Sequence, residues 1–103
     1  MKFLTVCHYA HSRSVAMCRY LHHRNQEAVA VGCGTAPSAF APMAAWADKI
    51  VLMEPGFVRC VPPEHRHKVV VIDVGHDRWS NPYHPDLAAL IERLADAAGL
   101  VPQ

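Results

Sequence analysis

Residues 7–14 gather the side chains of this chain that could do chemistry. Cys7 and Arg13 are separated by five residues, and Ser14 follows the arginine. A strand that feeds a short loop into a helix N-terminus makes a bowl of inward-facing backbone N–H groups, which binds tetrahedral oxyanions. A cysteine at the floor of such a bowl can act, as its thiolate, as a nucleophile. The planar guanidinium of Arg13 can clamp two oxygens of the same anion. These residue types point to a bound phosphate group attacked at phosphorus by Cys7. His8, Tyr9, Ala10, His11, Ser12 and Ser14 would line the site. The C-x5-R spacing also arises by chance, so the elements around it carry the weight.

Lys2–Val6 reads as a buried first strand, ending at Cys7. Ser14–Arg24 reads as a helix with Ser14, Met17, Cys18 and Leu21 on one stripe. Glu27–Gly32 is a second strand, closed by the turn Gly32-Cys33-Gly34-Thr35. Pro42 suits a first helical position, which predicts a short helix from Pro42 to Asp48. Lys49–Met53 is a third strand, and Pro55–Val61 a single helical turn before Pro62-Pro63. Lys68–Val74 is the plainest strand of all. Pro85 and Asp86 open a last helix with Leu87, Leu90, Ile91, Leu94 and Ala98 on its buried face, ended by Gly99.

Strands apolar on both faces and alternating with helices predict a parallel sheet covered on both sides. The expected fold is α/β: a small doubly wound four-stranded parallel sheet whose functional edge lies at the strand C-termini. Cys7, the 32–35 turn, Glu54 and residues 73–84 all fall at that edge.

At 103 residues the chain is expected to form one domain, residues 1–103. A net charge of +1 gives no basic field for nucleic acid and no acidic tail. No apolar run approaches membrane-spanning length. The N-terminal apolar stretch is too short for a signal peptide and lacks a cleavage site, so the expected location is cytoplasmic. Cys7, Cys18, Cys33 and Cys60 form no C-x-x-C pair, and reduced thiols are expected. Cys18 belongs on the core stripe. Cys33 is either a small turn residue or a redox partner of Cys7, and Cys60 a half-buried or surface residue. Eight histidines show no structural-zinc spacing, so neither metal nor cofactor is expected. His8 and His11 would instead add positive potential at the rim. Tyr9, Trp79 and Tyr83 could wall a phosphotyrosine ring, or serve singly as core or rim residues.

With these pieces placed, the chain resembles the low-molecular-weight protein tyrosine phosphatases, in particular their short bacterial branch. The likeness rests on C-x5-R-S after strand one, Gly32-Cys33-Gly34-Thr35, Trp46 to Glu54, Val70-Val71-Ile72-Asp73 and Pro85-Asp86-Leu87. It covers nearly the whole chain in order. It implies hydrolysis of phosphomonoesters through a phosphocysteine on Cys7. Arg13 and the loop amides would hold the equatorial oxygens, and Ser14 would donate to the Cys7 sulfur. Partners would be a phosphorylated protein or small phosphomonoester and inorganic phosphate.

The chain departs from the family pattern at three places. Ala10 stands where an asparagine is common, and Ser12 where the classical enzymes have a second cysteine. Asn81-Pro82-Tyr83-His84 replaces the Asp-Pro-Tyr-Tyr that carries the general acid. Asp77 is the first candidate for that role, Asp73 the second unless it is a turn or capping residue, and His84 a third. The same features leave room for an anion- or phosphopeptide-binding module without turnover. Arsenate reduction on the same fold would need resolving thiols, for which Cys33 and Cys60 are candidates. A phosphocysteine carrier ranks last.

Overall fold

The computed structural model describes residues 1–101. Its elements run β1 (Lys2–Cys7), α1 (Arg13–His22), β2 (Glu27–Gly32), α2 (Pro37–Trp46) and β3 (Lys49–Leu52). Two 3₁₀ segments (Pro55–Cys60 and Pro63–Lys68), β4 (Val69–Val71) and α3 (Pro85–Ala97) complete the chain. All strands are parallel and lie in the order β2-β1-β3-β4. This is the expected doubly wound sheet. The chain moves one way from β1 to β2 and back the other way to β3, so right-handed crossovers place α1 and α2 on opposite faces. The reversal falls between β1 and β3, the position where open α/β sheets form their binding crevice. Register sets Cys7 against Gly32 of β2 and Val6 against Leu52 of β3, so the last residues of three strands meet at one edge.

β1 is the central strand. Phe3, Leu4 and Val6 are fully buried because helices cover both faces. Thr5, also fully buried, meets its hydroxyl need by donating to the Ser14 carbonyl at 2.8 Å and lying 3.2 Å from Cys18 Sγ. These contacts bind the first turn of α1 to β1, and burial pushes the Cys18 thiol pKa up. The helical stripe read from sequence holds: Ser14, Met17, Cys18 and Leu21 are all buried.

Several elements differ from expectation. α2 starts at Pro37, not Pro42, because Ala36 is extended (ψ 137°) and Pro37 takes the first helical position. Pro42 then sits inside the helix, where it forfeits the ladder bond to Ser38. β4 stops at Val71 because β3, its one partner, ends at Leu52. Ile72 and Val74 continue as irregular chain, with N–H bonds to Leu52 and Met53 carbonyls. The 3₁₀ segment Pro63–Lys68 carries no clear periodicity in sequence. In α3, Leu87 and Ile91 are buried and Leu90 and Leu94 pack partly buried against the core as expected, but Ala95 rather than the exposed Ala98 completes the face.

The expectation of reduced thiols is corrected at two of the four cysteines. Cys33 and Cys60 are joined in a disulfide, their Cα atoms 5.6 Å apart, while Cys7 and Cys18 are free. The fold brings the turn after β2 and the 3₁₀ segment after β3 together. Closing a loop over 27 positions constrains the unfolded chain by about 3 to 4 kcal/mol in the chain-entropy account.

α1 and α3 are pinned by Tyr20, whose hydroxyl donates to Asp96 Oδ1 at 2.5 Å. Burial, and then this bond, push the Tyr20 pKa up to about 12 from its usual value of 10.0. The folded protein therefore keeps a proton that the unfolded chain releases. The resulting stability is fully present below pH 10 and is lost between 10 and about 12. Thermal melts across that window should show a steeper decline for the wild type than for Tyr20→Phe. Equal slopes would remove Tyr20 from the alkaline transition.

Candidate active site

Residues 8–12 turn the chain from the end of β1 into α1. The turn requires a left-handed residue, and Ala10 takes that role at φ 54°. His8, Tyr9 and His11 point to solvent at the rim, with the His8 and Tyr9 ring centroids 4.0 Å apart. Cys7, Ser12, Arg13 and Ser14 form a buried floor. Among the described residues, none accepts a hydrogen bond from the backbone N–H groups of Tyr9 to Ser12. Those donors and the start of α1 are therefore the groups available to an oxyanion beside Cys7.

Cys7 Sγ lies 2.9 Å from Ser14 Oγ, close enough for the hydroxyl to donate to a thiolate. Arg13 is 2% exposed. Its Nη1 pairs with Glu54 Oε2 at 3.0 Å and donates to the Gly75 carbonyl at 2.8 Å. The Phe57 ring centroid lies 5.5 Å from the guanidinium carbon. The buried Nε–H has no partner within the protein. A buried charged donor left over in this way is what a bound anion would satisfy.

The sequence assigns Glu54 no role beyond its place at the strand edge and at the end of the match from Trp46 to Glu54. It reaches Arg13 with one oxygen and His76 Nδ1 with the other, at 3.1 Å. The available signal was an acid directly after a buried apolar strand, where a buried arginine from another strand end needs a counter-charge. Asp77 lies beside the loop and accepts a hydrogen bond from Ser12 Oγ at 2.7 Å. Asp73 serves as a turn residue, its Oδ1 accepting from Gly75 N–H at 2.9 Å. His84 caps α3 by accepting from Asp86 N–H on Nδ1.

Of the expected aromatic wall, Tyr9 is exposed at the rim. Trp79 is buried at 6% exposure, edge-on to His84, with Arg78 stacked 4.2 Å from its ring. Tyr83 is exposed and lies under Arg19 of α1 at 4.4 Å. An open groove of about 590 Å³ leaves the loop on the β2 side, lined by Tyr9, Ala10, Gly34, Thr35 and Met43 among others. There Gly32 is tightly constrained: a Cβ would come 3.0 Å from the His8 carbonyl oxygen, whereas Gly34 has open space. Among the described residues no three His, Cys, Asp or Glu side chains converge as a metal-ligand set. Nor, among the described residues, is any helix long and apolar enough to cross a membrane.

Two substitutions test this geometry. Ala10→Gly removes the Cβ penalty of a left-handed residue, about 1 kcal/mol, and should raise the melting temperature by roughly 4 °C or more. An unchanged or lower value would mean that the left-handed turn is not strained. Glu54→Gln leaves the buried Arg13 charge with only neutral partners, and denaturant unfolding should show a loss of about 1–3 kcal/mol. No loss would show that the ion pair does not support the fold.

Neither protein-family models nor the curated proteins contain a match. Solved structures do. The Vibrio vulnificus Wzb structure in complex with benzylphosphonate superposes with a TM-score of 0.76 at 18% identity, covering 96% of this chain and 97% of that one. The YwlE arginine phosphatase of Geobacillus stearothermophilus gives 0.66 at 16%, over 96% and 93% of the two chains. The tyrosine phosphatase Wzb of Escherichia coli K30, in complex with sulphate, gives 0.68 at 14%, over 96% of each. The chain thus has the fold of the low-molecular-weight tyrosine and arginine phosphatases.

Proposed function

We propose that this protein is a phosphomonoester hydrolase that works through a phosphocysteine on Cys7. The observation that carries the reading is the buried Arg13, held from behind by Glu54 and Gly75 with its Nε–H unpartnered, on the same floor as a cysteine bonded to serine. Such a floor holds three equatorial oxygens and places sulfur in line with the leaving group. Two structural neighbours are complexes with benzylphosphonate and sulphate, tetrahedral oxyanions both, which supports a ligand of that class for this fold.

The reaction follows from the chain's own groups. Cys7 thiolate attacks phosphorus as the P–O bond to the leaving group breaks. Asp77, held at the loop by Ser12, gives its proton to the departing oxygen. Its carboxylate then takes a proton from water, whose oxygen attacks the phosphocysteine and releases inorganic phosphate. Ser14 donates to the Cys7 sulfur as it leaves. Asp73 and His84 make bonds within their own turns, whereas Asp77 reaches the loop through Ser12, which favours Asp77 as the acid. No metal or cofactor enters these steps. The substrate class is aryl phosphates such as phosphotyrosine, with Tyr9 the exposed ring beside the loop. The cytoplasm is the compartment that fits the sequence.

A second reading, an anion-binding module without turnover, draws on Asn81 at the family's acid position. Arsenate reduction is less favoured, since Cys33 and Cys60 are paired with each other. Turnover of para-nitrophenyl phosphate decides. Cys7→Ser should abolish it, and Asp77→Asn should lower kcat by about 10²-fold or more on substrates with poor leaving groups. Activity unaffected by Cys7→Ser would overturn the hydrolase. Phosphate binding with no turnover would select the binding module.

A further inference from the structure

Cys33 and Cys60 take no part in that reaction, yet the bond between them ties together the two segments that hold its nucleophile and its cation. On one side, Cys33 N–H donates to the Cys7 carbonyl at 2.7 Å, and Gly32 beside it packs directly against His8. On the other, Cys60 ends the 3₁₀ segment that begins straight after Glu54, the ion-pair partner of Arg13. The same segment carries Phe57, stacked near the Arg13 guanidinium. Between the two cysteines run α2 and β3. α2 buries only Phe40 and Ala44, and the 3₁₀ segment only Phe57. Beyond the strand ends themselves, the covalent tie therefore adds a direct link between these two walls. Both bonded cysteines are half-buried, within reach of a thiol reagent, whereas the free Cys7 and Cys18 are buried.

We infer that the Cys33–Cys60 pair is a reversible redox modification site that sets how tightly the bowl holds a phosphate oxyanion. The inference rests on the phosphate-binding reading of the loop and adds its regulation. A dithiol reductant is the co-reactant. Its first thiolate attacks one sulfur of the pair, forming a mixed disulfide and releasing the other sulfur as a thiolate that takes up a proton. The second thiolate breaks the mixed disulfide. The reductant leaves as a disulfide, and Cys33 and Cys60 have gained two electrons and two protons between them. Once freed, the 32–35 turn and the 55–60 segment are no longer fixed to each other. The amide contact to Cys7 and the stack on Arg13 are then held only part of the time, and the bound anion must supply the lost ordering. The oxidised form is the tight-binding state. Disulfides in reducing compartments are characteristically transient, which suits a switch better than a permanent staple.

The test is calorimetric titration of inorganic phosphate into three samples: oxidised wild type, wild type in excess dithiothreitol, and Cys33→Ala/Cys60→Ala. Reduction should weaken phosphate binding about fivefold or more. The double variant should match the reduced protein and ignore dithiothreitol. Equal affinity in the two wild-type states overturns the inference. So does a dithiothreitol response that persists in the double variant, because reduction would then act elsewhere. A second measurement covers failure of the variant to fold: in graded glutathione buffers, the midpoint of the affinity change must coincide with the midpoint of Cys33–Cys60 bonding read by mass spectrometry. Separate midpoints overturn the inference. If phosphate binds neither wild-type state, the reading of the bowl falls, and site-resolved alkylation of Cys7 by iodoacetamide then decides the switch alone. A rate that changes on reduction supports it and an unchanged rate overturns it.

Discussion

A buried guanidinium must have its charge met, and in this protein that requirement organises the sheet edge. Arg13 is among the largest fully enclosed side chains, and an unpaired charge there would cost several kcal/mol or more. Its partners come from elsewhere in the sequence: the Glu54 carboxylate after β3 and the Gly75 carbonyl after β4. Only a parallel sheet brings the ends of β1, β3 and β4 to one edge, and only the order β2-β1-β3-β4 sets β3 beside β1. The pairing also consumes one side of the fork and orients the rest. The loop that supplies Gly75 goes on two residues later to Asp77, which meets Ser12. Arg13 and Asp77 therefore both depend on one short segment, and displacement of that segment disturbs both.

What the sequence revealed was what depends on neighbours in the chain. Cys7, Arg13 and Ser14 were legible because a strand, a loop of fixed length and a helix start leave little choice of placement. The core stripe of α1 and the proline start and glycine stop of α3 were legible for the same reason. Glu54, His76 and the Gly75 carbonyl were not legible as a set, because their grouping depends on which strand ends become neighbours. Two prolines, Pro37 and Pro42, competed for one helix start, and the extended Ala36 decided between them. The apolar run to Val74 read as one long strand, but a strand needs a partner and β3 runs out at Leu52. The Cys33–Cys60 bond joins two turns 27 positions apart. No local spacing announces it, since the closeness of those turns is a product of the crossover that carries α2.

Gly32 and Gly34 stand two residues apart in the same turn with opposite surroundings. Gly32 is pressed against the loop backbone, so any side chain there would have to push the His8 carbonyl aside. Gly34 faces open space on the wall of the groove that leaves the bowl. Descendants of this sequence thus have one closed door and one open one. A side chain introduced at 34 can reshape the groove while the neighbouring loop keeps its form. The shape of the groove can therefore diverge through a single codon, uncoupled from the loop beside it.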